Sequence, residues 1–380
     1  MAKTEWQWHY LAEDYNESAT DSSTIRLKLP EREQISVIDV EIYAKQHVPN
    51  VAYDIMDVPE KLEVIADGSS VLYSMCPETA QFIHFATIRS LPLDVKMFDI
   101  DKIPHFRCKI PFGRWERDED YMLDTSVYTN VYLEIPWSLN TSYFESHSFS
   151  YTIRYLRPIQ HLSPKGFIRS RDIEYGSHAW TATGHHYVDL PLKYPWYMLG
   201  CRIYDIDADM VADIPHVKLD IDDGRLVLVD EDTDDIMRDN TERLPSPLII
   251  PWKIVCSGGL TQYLRSYLGR TYEAHLQPYG TQLESVLKQM LNAQRITFDT
   301  VCAAGVGYTA QTGCLNVSLV GEAFNCCIII KDWYLNWFEP VPHEPFPVGD
   351  HSMADIDFEH IAVTVDDLVI FLQEVCPLKI

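Results

Sequence analysis

The 380-residue sequence predicts a mainly β protein of two β-sandwich or jelly-roll-like units, with a few short helices and a C-terminal helical arm. About seventeen short runs of alternating or β-branched residues are separated by turn residues, which favours sandwiches or barrels over βαβ units. Hydrophobic residues make up 46% of the chain, enough for a large core. Aromatic residues reach 12%, and the 22 prolines outnumber the 16 glycines, as expected for strands joined by proline-marked turns.

The first half of the chain is predicted to be an N-terminal β-rich domain over residues 1–195, because a chain of this length commonly divides into two domains. Its strands are indicated by alternation of apolar and polar residues or by β-branched runs. These runs are TIRLKLP, ISVIDVEIYA, KLEVIAD, SVLYSM, QFIHFATI, LDVKMFDI, HFRCKIP, VYTNVYLEIP and FSYTIRYLRPI.

Residues 196–338 are predicted to form a second β-rich domain with two helices. The segment VKLDIDDGRLVLV indicates a hairpin, because Asp223-Gly224 suits a tight turn between two alternating runs. This turn places Ile221 opposite Leu226, and Leu219 opposite Leu228. The segments GGLTQYLRSYLG and TQLESVLKQMLNAQ carry apolar residues at helical spacing, and the second begins with a capping-box pattern.

The C-terminal part is predicted to be a Pro-rich tether over residues 339–353 followed by a helical arm over residues 354–380. Four closely spaced prolines block helix formation and favour an extended spacer: Pro340, Pro342, Pro345 and Pro347. The arm segment TVDDLVIFLQEVC is apolar on every side at its centre, so a helix there requires burial. The residues predicted to be buried in an exchanged oligomer arm are Leu368, Ile370, Phe371 and Leu372.

The net charge of −25 argues against direct binding of nucleic acid, because phosphate contacts depend on lysine and arginine. The N-terminal segment lacks the apolar core of a signal peptide, and no run approaches the roughly 18 apolar residues of a membrane span. The nine cysteines include no CxxC pair, and most lie inside apolar runs. The sequence therefore predicts buried, reduced thiols and synthesis in a reducing compartment such as the cytoplasm.

The acidic stretch VDEDTDDIMRDNTERLP suggests a calcium site at Asp230, Asp232 and Asp234, which have the spacing of the first three ligands of a calcium loop. An EF-hand is excluded, because the sixth position is Asp235 instead of glycine and the twelfth is Thr241. A looser oxygen cage for calcium and a solvated acidic loop without metal remain as alternatives.

A histidine cluster in SHAWTATGHHYVDL suggests a second metal hypothesis. In a strand, His185, Tyr187 and Asp189 share one face, and His185 and Asp189 are then candidates to join His178 around zinc or iron. The spacing matches no established zinc motif. The alternative is a set of ordinary strand and turn histidines.

The function that the sequence favours is structural: a self-assembling protein such as a viral capsid or outer-shell subunit, with an arm exchanged between subunits. Its partners are then copies of itself in a homo-oligomer or shell, with other shell proteins, and its location is the virion. No GxSxG, Walker A or HExxH motif supports an enzyme, and no cofactor is expected apart from calcium. Two alternatives stay open: a β-sandwich carbohydrate-binding module assisted by calcium, and a cupin-like metal-dependent enzyme using His185, His186 or Asp189.

Overall fold

Strands dominate the computed structural model. It describes residues 4–17, 19–47, 54–94, 101–203, 210–243, 248–257, 261–265, 268–279, 284–288, 295–301, 312–323, 326–331, 345–361 and 364–378. Within these ranges the chain forms 24 strands and three α-helices. No helix in the described ranges combines the length and the apolar character needed to cross a lipid bilayer.

The N-terminal unit contains ten strands and one helix. The strands are β1 (Trp6–Asn16), β2 (Ser22–Lys28), β3 (Gln34–Ile35), β4 (Val37–Tyr43), β5 (Leu62–Ala66), β6 (Ser70–Met75), β7 (His105–Pro111), β8 (Leu123–Asp124), β9 (Val131–Ser138) and β10 (Ser150–Pro158). Helix α1 (Pro77–Ile88) connects β6 to β7.

These strands have jelly-roll topology. One sheet has the order β1-β10-β4-β7, and the strands β2-β9-β5-β6 form part of a second sheet. If the two-residue strands β3 and β8 are left aside, the other eight strands can be renumbered 1 to 8 along the chain. The two sheets then have the strand orders 1-8-3-6 and 2-7-4-5. Two four-stranded sheets with such long connections are the arrangement of a jelly roll.

The second unit contains fourteen strands and two helices. The strands are β11 (Phe167–Ala179), β12 (Gly184–Asp189), β13 (Trp196–Ile203), β14 (His216–Ile221), β15 (Leu226–Asp232), β16 (Leu248–Ser257), β17 (Thr261–Arg265), β18 (Leu268–Tyr279), β19 (Glu284–Lys288), β20 (Arg295–Val301), β21 (Thr312–Ala323), β22 (Cys326–Lys331), β23 (Ala354–His360) and β24 (Thr364–Cys376). The helices are α2 (Met210–Asp213) and α3 (Thr233–Arg243).

The second unit repeats the topology of the first. The strands β11-β24-β13-β22 and β12-β23-β14-β15 again have the orders 1-8-3-6 and 2-7-4-5 when β16 to β21 are left aside. Strand β11 pairs in parallel with β6, so that one eight-stranded sheet runs through both units. Inspection of the sequence shows no internal repeat, and the duplication is visible only in the strand order.

Each unit encloses its own hydrophobic core. In the first, Val40 and Ile153 face Val64 and Leu133 from the opposite sheet, and all four side chains are fully buried. The core of the second unit contains residues of β13 and β24 from the large sheet and residues of β14 and β23 from the small sheet. The prediction of a mainly β chain built from jelly-roll-type units is therefore confirmed.

The segment between α3 and β22 forms two three-stranded antiparallel sheets, β16-β21-β18 and β17-β20-β19. The two helices predicted in this region are wrong in their described parts, because Thr261–Arg265 and Glu284–Lys288 are strands that both pair with β20. In a short segment, apolar residues at helical spacing indicate a helix only weakly. Pairing with a strand that is distant in the sequence can make the same segment a strand.

The predicted C-terminal helical arm is also wrong. Its described residues form β23 and β24, and β24 lies between β11 and β13 in the large sheet. A strand covered on both faces needs apolar residues on both sides, which explains the continuous run Leu368–Leu372. The β-branched residues Val369 and Ile370 favour the extended form.

Conversely, a helix occurs where the run QFIHFATI indicates a strand. Helix α1 has Pro77 at its first turn and Glu78 next to it, and Arg89 closes it in the left-handed conformation. Residues 77–87 are all buried, so this helix is covered on every side.

The described part of the predicted tether packs against the core of the second unit. Phe346 and Trp196 exchange two backbone hydrogen bonds of 2.7 and 3.0 Å, and Phe346 and Val348 are buried. Residues 339–344 lie outside the described ranges. The repeated strand pattern of the second unit begins at Phe167, whereas the boundary predicted from the sequence lies between residues 195 and 196.

Four cysteines have described side chains in the cores: Cys76, Cys108, Cys201 and Cys376. All four are free thiols and buried, which confirms the prediction for these positions.

Candidate metal centre

Three side chains with metal-ligand chemistry converge where β11 leads into β12. Glu174 and His178 belong to β11, and His186 belongs to β12. The Nε2 atom of His186 lies 3.0 Å from Oε1 of Glu174, and Nε2 of His178 lies 3.3 Å from the same oxygen. Among the residues that the structure describes, these three form the one group of His, Cys, Asp or Glu side chains whose ligand atoms all lie within 4.8 Å of one another.

Irregular pairing of β11 brings Glu174 and His178 together. In a regular strand, residues four apart are separated by about 13 Å. The pairing of β11 with β24 changes register between Asp172 and Glu174 and again between Gly176 and His178, and such bulges bend and twist a strand. A Cβ atom on Gly176 would lie 3.8 Å from Nε2 of His178, so the imidazole lies over the glycine.

Strand β12 separates the histidines that the sequence analysis grouped together. Its residues alternate between half-buried and exposed, with His186 on the inner side and His185, Tyr187 and Asp189 on the outer side. The prediction that these three residues share a face is right. The structure brings His178 together with His186 and places His185 on the other face, where its Nδ1 atom lies 3.0 Å from Oδ2 of Asp357.

An aromatic side chain covers the group of three. The indole of Trp180 lies 5.7 Å from the ring centre of His178 and 6.2 Å from that of His186, and it stacks on His360 at 4.1 Å. Trp180 also packs against the core of the second unit. The side chains of Glu174, His178 and His186 keep exposed fractions of 25%, 20% and 22%, so the group lies near the surface.

Sequence reasoning missed Glu174, because it lies outside every strand run that the sequence indicates. Its spacing of four residues from His178 suggests a helix face, and a strand of regular geometry would keep the two side chains apart. The two bulges that overcome this distance leave no recognisable pattern in the sequence. The sequence hypothesis grouped His178 with His185 and Asp189, and it named His186 only for a cupin-like enzyme.

The outer face of the β12-β23-β14-β15 sheet is strongly acidic. Asp189, Asp355 and Asp220 lie directly opposite one another on three neighbouring strands. Partial burial, the hydrogen bond with Asp189 and the neighbouring negative charges raise the pKa of Asp355. In the next row Asp357 lies opposite Lys218. This row of three carboxylates makes the outer face of the sheet acidic.

The three predicted calcium ligands lie at one end of this face. Asp230 and Asp232 are exposed on β15. Asp234 lies in the first turn of α3, where the helix dipole stabilises a carboxylate. Oδ1 of Asp230 lies 3.3 Å from Nε2 of His216. Within the described residues the three carboxylates do not form a converging group. Calcium binding at this position stays a prediction.

The hairpin of β14 and β15 differs in register from the prediction. Ile221 pairs with Leu226 as expected, but Leu219 pairs with Val229, because a register shift intervenes. Asp222 directly follows β14. Its carboxylate accepts hydrogen bonds from Nδ1 of His351 at 2.9 Å and from the backbone N–H of Ser352 at 2.7 Å. These hydrogen bonds, led by that of His351, hold the pKa of Asp222 well below its usual range.

The residues predicted for the oligomer arm are buried within their own chain. Leu368, Ile370, Phe371 and Leu372 all have zero exposure in β24. Exchange of an identical element between subunits preserves the same contacts, so exchange of this strand stays a prediction.

Comparison with known proteins shows similarity in structure alone. No family model and no curated protein sequence matches the chain at a significant level. The major capsid protein of Sulfolobus turreted icosahedral virus has a TM-score of 0.55 and 10% identity, with 97% of this chain and 96% of that chain covered. That of bacteriophage PM2 has a TM-score of 0.52 and 10% identity, with 98% of each chain covered. A chain of the PBCV-1 virus capsid has a TM-score of 0.55 and 8% identity, with 98% and 94% covered. The chain therefore shares its fold with these proteins from end to end.

Proposed function

We propose that the chain is a structural subunit of a viral capsid or outer shell that assembles with copies of itself. One observation carries this proposal: two jelly rolls in tandem match capsid proteins over at least 97% of this chain and at least 94% of theirs. A fold alone accommodates many functions, but the matched proteins share one kind of assembly role by name. In this function the chain is a structural component instead of an enzyme, and its location is the virion.

The continuous sheet supports a role as a building block. Because β6 and β11 pair directly, the two units share one sheet and are held in a defined relative orientation. Arg202 and Glu78 add a buried contact between β13 of the second unit and α1 of the first, with 3.8 Å between Nη1 and Oε2. A subunit with neighbours on both of its units needs such a fixed geometry.

The charge of the chain supports a place in an outer layer. A net charge of −25 and an acidic sheet face repel nucleic acid phosphates, so the genome is not the expected partner. We place the subunit over a lipid or protein inner layer, with other shell proteins as further partners. Exchange of strand β24 between neighbouring subunits, which the sequence predicts, is not required for this function and is tested separately.

Electron microscopy of the purified full chain, combined with size exclusion and light scattering, tests the proposal. We expect discrete oligomers of identical chains, and closed shells or flat lattices at higher protein concentration. Samples at low and high salt separate weak electrostatic association from stable contacts. A strict monomer at every concentration and salt condition, with no ordered assembly on the grid, would contradict the function proposed here.

A further inference from the structure

We infer that Glu174, His178 and His186 bind one divalent transition-metal ion of the zinc class and thereby join strand β11 to strand β12. The inference is independent of the proposed shell function. It rests on the convergence of the three ligand atoms, on their chemistry and on their position between two sheets.

The distances fit a metal site. Zinc binds imidazole nitrogen and carboxylate oxygen at about 2.0–2.2 Å, so two ligands at a tetrahedral angle lie roughly 3.4 Å apart. The distances in the structure from Oε1 of Glu174 are 3.0 Å to Nε2 of His186 and 3.3 Å to Nε2 of His178. All three ligand atoms lie within 4.8 Å of one another, which is compact enough for a shared ion.

The donor set selects the class of metal. Two imidazoles and one carboxylate suit zinc, iron, cobalt, nickel or copper, whereas calcium and magnesium prefer oxygen ligands alone. The carboxylates on the outer sheet face, such as Asp355 and Asp220, are the oxygen-rich alternative for calcium. The two faces of β12 therefore offer different chemistry, and the inner one favours zinc over calcium.

The position of the site gives the ion a structural role. Strand β11 belongs to the eight-stranded sheet, and β12 belongs to the opposite sheet of the second jelly roll. Residues 180–183 connect them, and the ion closes this corner by linking a ligand on each side. Three protein ligands leave a fourth position for water, which the exposure of the three side chains permits.

Equilibrium dialysis of the untagged full chain against zinc, followed by elemental analysis, tests the inference. We strip the protein with a chelator and expect about one zinc ion per chain after dialysis, unchanged by millimolar calcium. We expect H178A and H186A each to weaken zinc binding by at least about 100-fold, because even outer-shell changes at metal sites cost about 10–100-fold. Zinc should raise the melting temperature of the wild-type chain and not that of these variants.

His185 provides the matched control, because it lies on the same strand and forms a similar histidine–carboxylate pair with Asp357. H185A should bind zinc like the wild type. A second readout uses Trp180, which lies within 6.2 Å of both ligand histidines. Cobalt should produce a visible absorption band and quench part of the tryptophan fluorescence, and W180F should keep the absorption band and lose that quenching.

Three results would overturn the inference: no zinc bound by the folded wild-type chain, equal binding by wild type and H186A, or an equal loss in H185A. Circular dichroism of each variant shows whether it is folded, and E174Q gives a further ligand change of nearly the same size. Shell formation is measured on the same samples with and without zinc. Assembly without metal binding removes only this inference, and metal binding by a strict monomer removes only the proposed function.

Discussion

Arg169 and Glu374 form an ion pair that joins the first strand of the second jelly roll to the last. Nε of Arg169 lies 2.9 Å from Oε2 of Glu374, and the Glu374 side chain is fully buried. Nε of Arg171 donates to the same oxygen at 3.0 Å. Two guanidinium groups therefore compensate the negative charge of the carboxylate. Removing only one partner of such a buried ion pair leaves an uncompensated charge and lowers the stability of the fold.

The variant E374Q is expected to destabilise the chain by about 3 kcal/mol, near the lower end of the range for breaking a buried ion pair. The lower end applies because Arg171 is 28% exposed and can turn to solvent. The control is E134Q, whose partner Arg26 is 63% exposed. Its expected effect is at most about 1 kcal/mol. Denaturant unfolding of both variants measures the difference, and equal shifts in the two would disprove it.

Asp172 should make the chain less stable as the pH rises. Its Oδ1 atom is buried without a hydrogen-bond partner among the described residues, while Oδ2 accepts from the backbone of Cys76 at 2.7 Å. Burial raises the pKa of Asp172 to about 7. The folded chain therefore holds a proton that the unfolded chain has lost above pH ~4, so stability falls between pH ~4 and 7.

The variant D172N removes this titration and keeps an acceptor for the Cys76 amide. Glu78 remains as a counter-charge for the nearby Arg202. We expect D172N to be more stable than wild type at pH 8 by up to about 4 kcal/mol, from about 1.4 kcal/mol for each pKa unit. The gain should vanish near pH 4. Melting curves across this range decide the matter, and a gain that is constant with pH would refute the assignment.

Strand content was predictable because alternation is a local property of the sequence. The run HVKLDI became β14 with its inner residues Val217, Leu219 and Ile221 fully buried. Two apolar runs without clear alternation were assigned wrongly. Residues 368–372 form a strand that pairs with β11 on one side and with β13 on the other. Residues 82–86 lie in helix α1. Neighbouring strands are a long-range property that single-sequence patterns do not contain.

The sequence predicted two jelly-roll-like units, but their identical strand order and the group of Glu174, His178 and His186 were beyond sequence reasoning for a similar reason. The two jelly rolls share strand order without a visible sequence repeat, since many apolar patterns satisfy the same order. The sequence grouped His178 with His185 and Asp189 instead of His186, and Glu174 comes close to His178 only through two bulges of β11. Two missed helices had a local signal: α1 begins with Pro77 followed by Glu78, and α3 begins with Thr233 followed by Asp234 and Asp235.

His84 should make the chain sensitive to acid. It is 3% exposed in α1, and its Nδ1 atom accepts a hydrogen bond from the backbone of Lys109 at 3.2 Å. Burial, reinforced by the charge of Lys109, lowers the pKa of His84 to about 3. The unfolded chain binds this proton near pH 6.5, so stability is lost as the pH falls from about 6.5 to 3.

The variant H84N retains an acceptor near the position of Nδ1 and has no titrating ring. We expect it to be less stable at neutral pH, because it loses packing, and its stability should fall less steeply between pH 6.5 and 4.5. H161N is the control, since the exposed His161 is solvated in both states. The slope of unfolding free energy against pH is the measurement. An unchanged slope in H84N would show that protonation of His84 does not drive acid unfolding.

Whether β24 pairs within its own chain or is exchanged between subunits can be decided by a designed disulfide. Ser170 on β11 and Gln373 on β24 are cross-strand partners, and Nε2 of Gln373 donates to Oγ of Ser170 at 2.8 Å. Directly opposite residues on antiparallel strands have Cα separations of about 4.5–5.5 Å, which a disulfide can bridge. Refolding of S170C/Q373C under oxidising conditions should then form one bond.

We expect this bond within one chain, so that a non-reducing gel shows a single band at the mass of one chain. Pairing in the same chain avoids ordering a second one, and the structure buries Phe371 and its neighbours without a partner copy. The single variant S170C and a reduced sample are the controls. Covalent dimers or larger species that need both new cysteines would instead establish that the strand is exchanged between subunits.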